Sequence, residues 1–219
     1  MTEPPAHLTE TRIAYDTVAA DYADLLKGAL AEAPLERALL GTFAELVLAA
    51  GGGPVVDAGC GPGRITTYLD GLGLDVRGVD LSPEMVAVAR RLYPGLPFAA
   101  GSITDLDVAD GALAGLVAWY SVIHTPPAQL PAVFAEFARV LRPGGHLLMA
   151  FQTASAGDVE PRRIERAYGH TLALDAYRLS PDRVTELLAA AGIEVTTRVV
   201  RQPEIQEKTP QAYLMARLS

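Results

Sequence analysis

The feature that most constrains this chain is a short apolar run that ends in an acid and turns at once through three glycines. It reads Val55-Val56-Asp57-Ala58-Gly59-Cys60-Gly61-Pro62-Gly63-Arg64. A strand that enters such a turn and leaves it as a helix exposes bare backbone to a ligand. The helix start adds N–H groups that have no intrahelical partner. The segment therefore predicts a small polar ligand at a strand-to-helix junction. Dinucleotides are commonly held by Gly-x-Gly-x-x-Gly at such a junction. Here the third glycine comes one residue early, and the acid closing the strand is additional to that pattern.

The rest of the chain supports an open α/β sheet. Apolar residues from Arg12 to about Ala50 recur every three to four positions, which predicts two helices before any strand. Pro54–Asp57 reads as a strand, Arg64–Leu72 as a helix, and Asp75–Asp80 as a second strand. Ser82-Pro83-Glu84 then opens a capped helix. Residues 97–100 predict a short strand and 113–120 a buried one. A helix follows through Leu130, Phe134, Phe137 and Leu141, stopped by Arg142-Pro-Gly-Gly145, with a strand at 146–151. Residues 153–169 are polar and read as a loop or lid, with an added strand at 171–179. Ser180-Pro181-Asp182 opens the last helix. Strands at 193–200 and 212–218 are joined too closely for a helical crossover, so they predict an antiparallel hairpin. The expected fold is a Rossmann-like, doubly wound, mainly parallel seven-stranded sheet with an antiparallel C-terminal hairpin, a helical cap and an insertion after strand 5. One domain accounts for 1–219: a cap at 1–50, a core at 54–151, a lid at 152–179, and a helix and hairpin at 180–219.

Composition narrows the partners. With 18 Lys+Arg against 26 Asp+Glu the formal net charge is −8, so a nucleic-acid backbone is a disfavoured partner. A single cysteine, Cys60, excludes an intrachain disulfide framework and any multi-thiolate zinc site. The four histidines are scattered, so no metal site is expected. The longest uncharged apolar stretch is about 13 residues, short of the roughly 18–20 that span a bilayer. The opening residues carry no basic and apolar leader pattern. These features predict a soluble cytoplasmic protein.

The second strand ends in Asp80, where a carboxylate can accept hydrogen bonds from vicinal ribose hydroxyls. Taken together, Asp57–Gly63, Gly78–Met85, Gly101–Asp105 and Phe137–Gly145 resemble the successive motifs of class I S-adenosylmethionine-dependent methyltransferases of the methyltransferase-11/25 type. The segment Tyr15–Tyr22 is similar to the N-terminal helix of that group. The resemblance implies S-adenosylmethionine as cofactor and a small-molecule methyl acceptor as partner. It implies that Gly59 and Gly61, with Asp57 behind them, hold the methionine part, with Tyr22 close to its carboxylate. Asp80 takes the ribose hydroxyls, Leu81 and Met85 lie on the adenine, and Ser102 and Ile103 meet its edge. Trp119 and Tyr120 face the amino group and the transferable methyl. The acceptor would be an O, N, S or C nucleophile, with a place in specialised metabolism. An NAD-dependent oxidoreductase and a non-catalytic methyltransferase-like binding subunit stand as the alternatives.

Two histidines are catalytic candidates. His124 follows the fourth strand at the sheet edge where α/β folds bind ligands, and there it can either take a proton or orient a loop. His170 lies in the insertion with Asp175, Tyr177 and Arg178, as an acceptor contact or part of an exposed hairpin. At a helix start the Cys60 thiol is expected to acidify, yet methyl transfer needs no thiol nucleophile. The lid also carries Arg162, Arg163, Arg166 and Arg178, so the acidic total does not set the sign of the acceptor.

Overall fold

The computed structural model describes residues 5–153, 161–204 and 207–219. Helices α1 (Ala6–Leu25) and α2 (Pro34–Ala49) precede the first strand, β1 (Pro54–Ala58). There follow α3 (Arg64–Gly71), β2 (Asp75–Asp80), α4 (Pro83–Leu92), β3 (Phe98–Ala100), β4 (Leu113–Trp119), α5 (Leu130–Val140) and β5 (Leu141–Gln152). The chain continues through β6 (Arg162–Ala167), β7 (His170–Ala176), α6 (Pro181–Ala190), β8 (Ile193–Arg201) and β9 (Gln211–Leu218).

Seven strands form one sheet in the order β3-β2-β1-β4-β5-β9-β8, with β6 and β7 pairing separately. Strands β3, β2, β1, β4 and β5 run parallel, while β9 pairs antiparallel with both β5 and β8. Neighbouring residues of each central strand serve opposite faces, as the period of two requires. Val56, Leu116 and Leu147 pack with Phe134, Phe137 and Leu188 on one face. Val55, Val117 and Leu148 pack with Leu40, Phe43 and Val47 of α2 on the other. Each such buried side chain contributes about 1.5–3 kcal/mol by leaving water. These two apolar layers fix the sheet, and hence the edge at which β1, β2 and β4 all end.

The helix starts follow the sequence logic. Ser82 accepts a 3.1 Å hydrogen bond from the Met85 N–H at the start of α4, and Ser180 accepts one of 3.4 Å from the Arg183 N–H at the start of α6. Both are followed by proline at the first helical position.

Two local readings need correction. Strand β5 begins at Leu141 rather than His146, because Leu113 pairs with Leu141 before the register shifts to Gly115 with His146. The Pro-Gly-Gly segment is a bulge inside a strand, with Gly144 at φ 76°. The segment read as a loop or lid contains β6, which pairs with β7 from Arg162↔Ala176 to Ala167↔His170. Its sequence, Arg-Arg-Ile-Glu-Arg-Ala, is charged because four of its six residues are exposed. That exposure leaves little apolar alternation to read. The part of the lid reading that falls on 154–160 lies outside the described residues.

Candidate functional site

The glycine turn is shaped by what surrounds it. Gly59 has φ 81°, and a Cβ there would sit 2.2 Å from the Ser121 Cβ. Gly63 has φ 86°, and its Cβ would meet the Phe98 ring at 2.8 Å. These two are glycines because neighbouring side chains touch the backbone. Gly61 differs: at φ 54° its nearest neighbour would be the Tyr22 ring at 3.9 Å, so it faces open space.

Asp80 locks the turn to the end of β2. One carboxylate oxygen accepts a 2.7 Å hydrogen bond from the Gly61 N–H and the other a 2.8 Å bond from the Ser82 N–H. Burial pushes this carboxyl up to about 6, while the two N–H donors pull it down. Each oxygen keeps a further lone pair for a ligand hydroxyl. Asp57 lies fully buried beneath the turn, where Thr66 Oγ1 donates to it at 2.7 Å, and burial likewise raises it to about 6. Cys60 is also buried, so its thiol is pushed up, against the acidification expected at a helix start.

Ten of the eleven expected cofactor contacts line one pocket: Tyr22, Gly59, Gly61, Asp80, Leu81, Met85, Ser102, Ile103, Trp119 and Tyr120. Asp57 does not reach its surface. The Ser102 hydroxyl lies 2.7 Å from Thr104 Oγ1 and accepts from the Thr104 N–H at 3.2 Å, so it folds its own turn. Among the described residues, the buried atoms Trp119 Nε1, Ser121 Oγ and Asp57 Oδ1 have no hydrogen-bond partner, and both Trp119 and Ser121 line the pocket. Orphaned polar groups of this kind cost roughly 1–3 kcal/mol each unless a ligand or water pairs them. A ligand with carboxylate, amino and ribose groups, an adenine ring to lie on Leu81 and Met85, and room beside Gly61 fits these donors and acceptors.

A second, wider groove of about 1210 Å³ adjoins the first. The two share Tyr15, Tyr22, Tyr120 and His124. Tyr120 holds φ 56°, unusual for a bulky residue, at the end of β4. Its hydroxyl lies 3.3 Å from that of Tyr213, which donates to Glu36 at 3.1 Å. Burial raises the Glu36 carboxyl. Tyr15 stacks edge-on against Tyr22 and His124, and Tyr22 against Tyr168 at the hairpin turn.

The two candidate histidines have different surroundings. His124 is buried, with Nδ1 2.7 Å from the Asp175 carbonyl and Nε2 2.8 Å from the Tyr15 hydroxyl. A carbonyl only accepts, so Nδ1 carries the proton and Nε2 receives the Tyr15 O–H. Burial lowers the pKa of this ring, keeping it neutral. His170 lines neither pocket; its Nε2 meets Asp21 of α1 at 2.7 Å and ties the hairpin to that helix. Among its lid neighbours, Asp175 holds Arg163 at 3.0 Å, and only Arg178 lines the groove. Sequence pattern alone does not single out Tyr15, Ser121, Glu36 and Tyr213. Their partners lie up to 177 positions away, and only the Tyr15–Tyr22 motif carried any signal.

Residues 55–145 match the family model described as a methyltransferase domain, across the glycine turn, Asp80 and the end of β4. Over that span the chain resembles the methyltransferase domain family. It is 32% identical over 127 residues to a malonyl-[acyl-carrier protein] O-methyltransferase of Pectobacterium atrosepticum, covering 58% of this chain and 49% of that one. The chain thus spans about half the length of that relative, and less of others it matches. Its fold is similar to that of Burkholderia thailandensis 1,6-didemethyltoxoflavin-N1-methyltransferase, with a TM-score of 0.71 at 22% identity over 100% of this chain and 92% of the other. The magnesium protoporphyrin IX methyltransferase of Synechocystis gives 0.72 at 16% identity, covering both chains fully. At these identities the two structures speak for the methyltransferase fold alone. Among the described residues, no group of three or more His, Cys, Asp or Glu is placed to hold a metal, and no helix is long and apolar enough to cross a membrane.

Proposed function

We propose that the protein transfers a methyl group from S-adenosylmethionine to an O, N, S or C nucleophile of a small-molecule acceptor, as a cytoplasmic enzyme of specialised metabolism. The observation that carries this is the shared wall. A pocket lined by nearly all the expected cofactor contacts meets a larger groove at Tyr15, Tyr22, Tyr120 and His124. When bound, the cofactor supplies an electrophilic methyl on a sulfonium. The protein's task is alignment in a site that excludes water, plus removal of a proton where the nucleophile carries one.

On this reading Asp80 receives the ribose hydroxyls, while Leu81 and Met85 bear on the adenine with Ser102 and Ile103 at its edge. Gly59, Gly61 and Tyr22 flank the methionine part, with Asp57 supporting the turn from below. Trp119 Nε1 and Ser121 Oγ gain the partners they lack. Tyr120, fixed through Tyr213 and Glu36, shapes the passage between pocket and groove. The acceptor's proton leaves through the Tyr15 hydroxyl to Nε2 of His124, a path supported by the 2.8 Å contact and by the free-base form of the ring. Residues 1–50 act as a cap and 152–179 as a lid, with His170 latching the lid through Asp21.

The test is turnover of methyl-labelled S-adenosylmethionine against a panel of small metabolites. Label appearing in a small product supports the proposal. Binding of S-adenosylhomocysteine without turnover of any panel member favours a non-catalytic subunit.

A further inference from the structure

The β6–β7 hairpin turns a face of two chemical kinds toward the groove. Ile164, Leu172, Leu174 and Ala176 form an apolar strip, and Arg162 and Arg178 line the same groove. The chain brings the two arginines to the same end of the hairpin, because Arg162 pairs with Ala176, two residues before Arg178. Arg178 is pinned from both sides at the sheet edge. The Tyr177 N–H donates to the Ile123 carbonyl at 2.7 Å, and the Leu179 N–H to the Gln152 carbonyl at 2.9 Å.

These guanidiniums are uncommitted in a chain where most others are not. Arg163, on the opposite face of the hairpin, is held by Glu10 and Asp175, both at 3.0 Å. Arg139, Arg183, Arg198 and Arg201 each hold a carboxylate. Among the described residues neither Arg162 nor Arg178 makes an ion pair or a side-chain hydrogen bond. The acids lining the same groove include Glu204 and Glu207, which face Arg201 at 3.3 and 2.7 Å, and Glu36, which accepts from Tyr213. Among the described residues Glu32 is the remaining lining acid. With 26 acids against 18 bases in the whole chain, two guanidiniums without a carboxylate partner that line the same groove as an apolar strip form a local positive site.

We infer that the groove selects an acceptor with an apolar body and one anionic group, a carboxylate or a phosphate, held by Arg162 and Arg178. The planar guanidinium fork matches both anions, and the apolar strip takes the body. This rests on the groove being the acceptor site. The charge selectivity is nevertheless measurable without knowing the acceptor.

The probes are decanoate, decyl phosphate and 1-decanol, titrated into protein saturated with S-adenosylhomocysteine and followed by calorimetry or chemical-shift perturbation. Decanoate or decyl phosphate should bind about tenfold or more tightly than decanol, the scale of charge-assisted hydrogen bonds. The tighter of the two anions identifies the source of the charge. In the Arg162→Ala/Arg178→Ala variant that preference should vanish while decanol binding and S-adenosylhomocysteine affinity stay unchanged. Should the double variant not fold, Arg162→Gln and Arg178→Gln singly should each reduce the preference. No binding of either anion, equal binding of decanol, or a preference that survives the substitutions overturns the inference. Failure of S-adenosylhomocysteine to bind the wild type overturns the cofactor reading instead, and the probe preference in its absence still judges the arginine pair.

Discussion

Asp80 combines two tasks in one carboxylate. It fastens the glycine turn through the Gly61 and Ser82 N–H groups and, on the proposed reading, receives the ribose hydroxyls. Asp80→Ala should therefore weaken S-adenosylhomocysteine binding by about 1–3 kcal/mol, measured by calorimetry. Because burial raises this carboxyl to about 6, the form that accepts ligand hydroxyls on both oxygens is depleted as pH falls through that value. Cofactor affinity should fall on acidification from pH 7.5 to 5, and Asp80→Asn should flatten that dependence. For His124 the sign is set by a depressed pKa: the ring stays neutral and able to accept a proton until the pH is below its ordinary 6.5. The acidic limb of the pH–rate profile should lie under that value and disappear in His124→Asn, with cofactor affinity near wild type. An unchanged profile would make His124 a support for the hairpin only. At this scale the sequence reveals residues whose type has few uses, such as a strand-ending Asp or a glycine beside a glycine. It conceals residues such as Tyr15 and Tyr213, whose value comes from a partner brought close by the fold.

The elements over the pocket rest on a smaller apolar cluster than the sheet beneath. Helix α1 packs on α4 through Val18, Ala19, Met85 and Val88, a small cluster with Leu172 of the hairpin at its margin. Polar links complete the attachment. Asp16 accepts from Ser82 Oγ at 2.6 Å and thereby joins α1 to the start of α4, while His170–Asp21 and Arg163–Glu10 join the hairpin to α1. The latter two pairs are partly exposed and contribute little to stability. Asp16→Ala should cost about 1 kcal/mol in denaturant unfolding, the scale of a lost cap and hydrogen bond. In hydrogen exchange, α1 and the hairpin should open before β1, β4 and β5, and S-adenosylhomocysteine should slow their exchange selectively. Elements buried on both faces were legible from their apolar runs. Strand β6 was not, because a mostly exposed two-stranded hairpin imposes no apolar period on its sequence, and the start of β5 was masked by glycine and proline that form a bulge.

At the scale of the molecule, two apolar layers on either side of one sheet hold the carboxyl ends of β1, β2 and β4 at a common edge, where the pocket and groove meet. That arrangement follows from patterning, since continuous buried strands separated by capped helices permit few other topologies. The groove is less legible, because its lining comes from α1, the β6–β7 hairpin and the β8–β9 connector, which are distant in sequence and individually weak in pattern. The most direct test of the whole is calorimetric titration of the purified protein with S-adenosylhomocysteine, with NADH in parallel and the Asp80→Ala variant as control. Saturable one-to-one binding of S-adenosylhomocysteine, no heat from NADH, and clear weakening in the folded variant are the predicted results. Saturable binding of NADH with none of S-adenosylhomocysteine, or affinity that ignores Asp80, would contradict it.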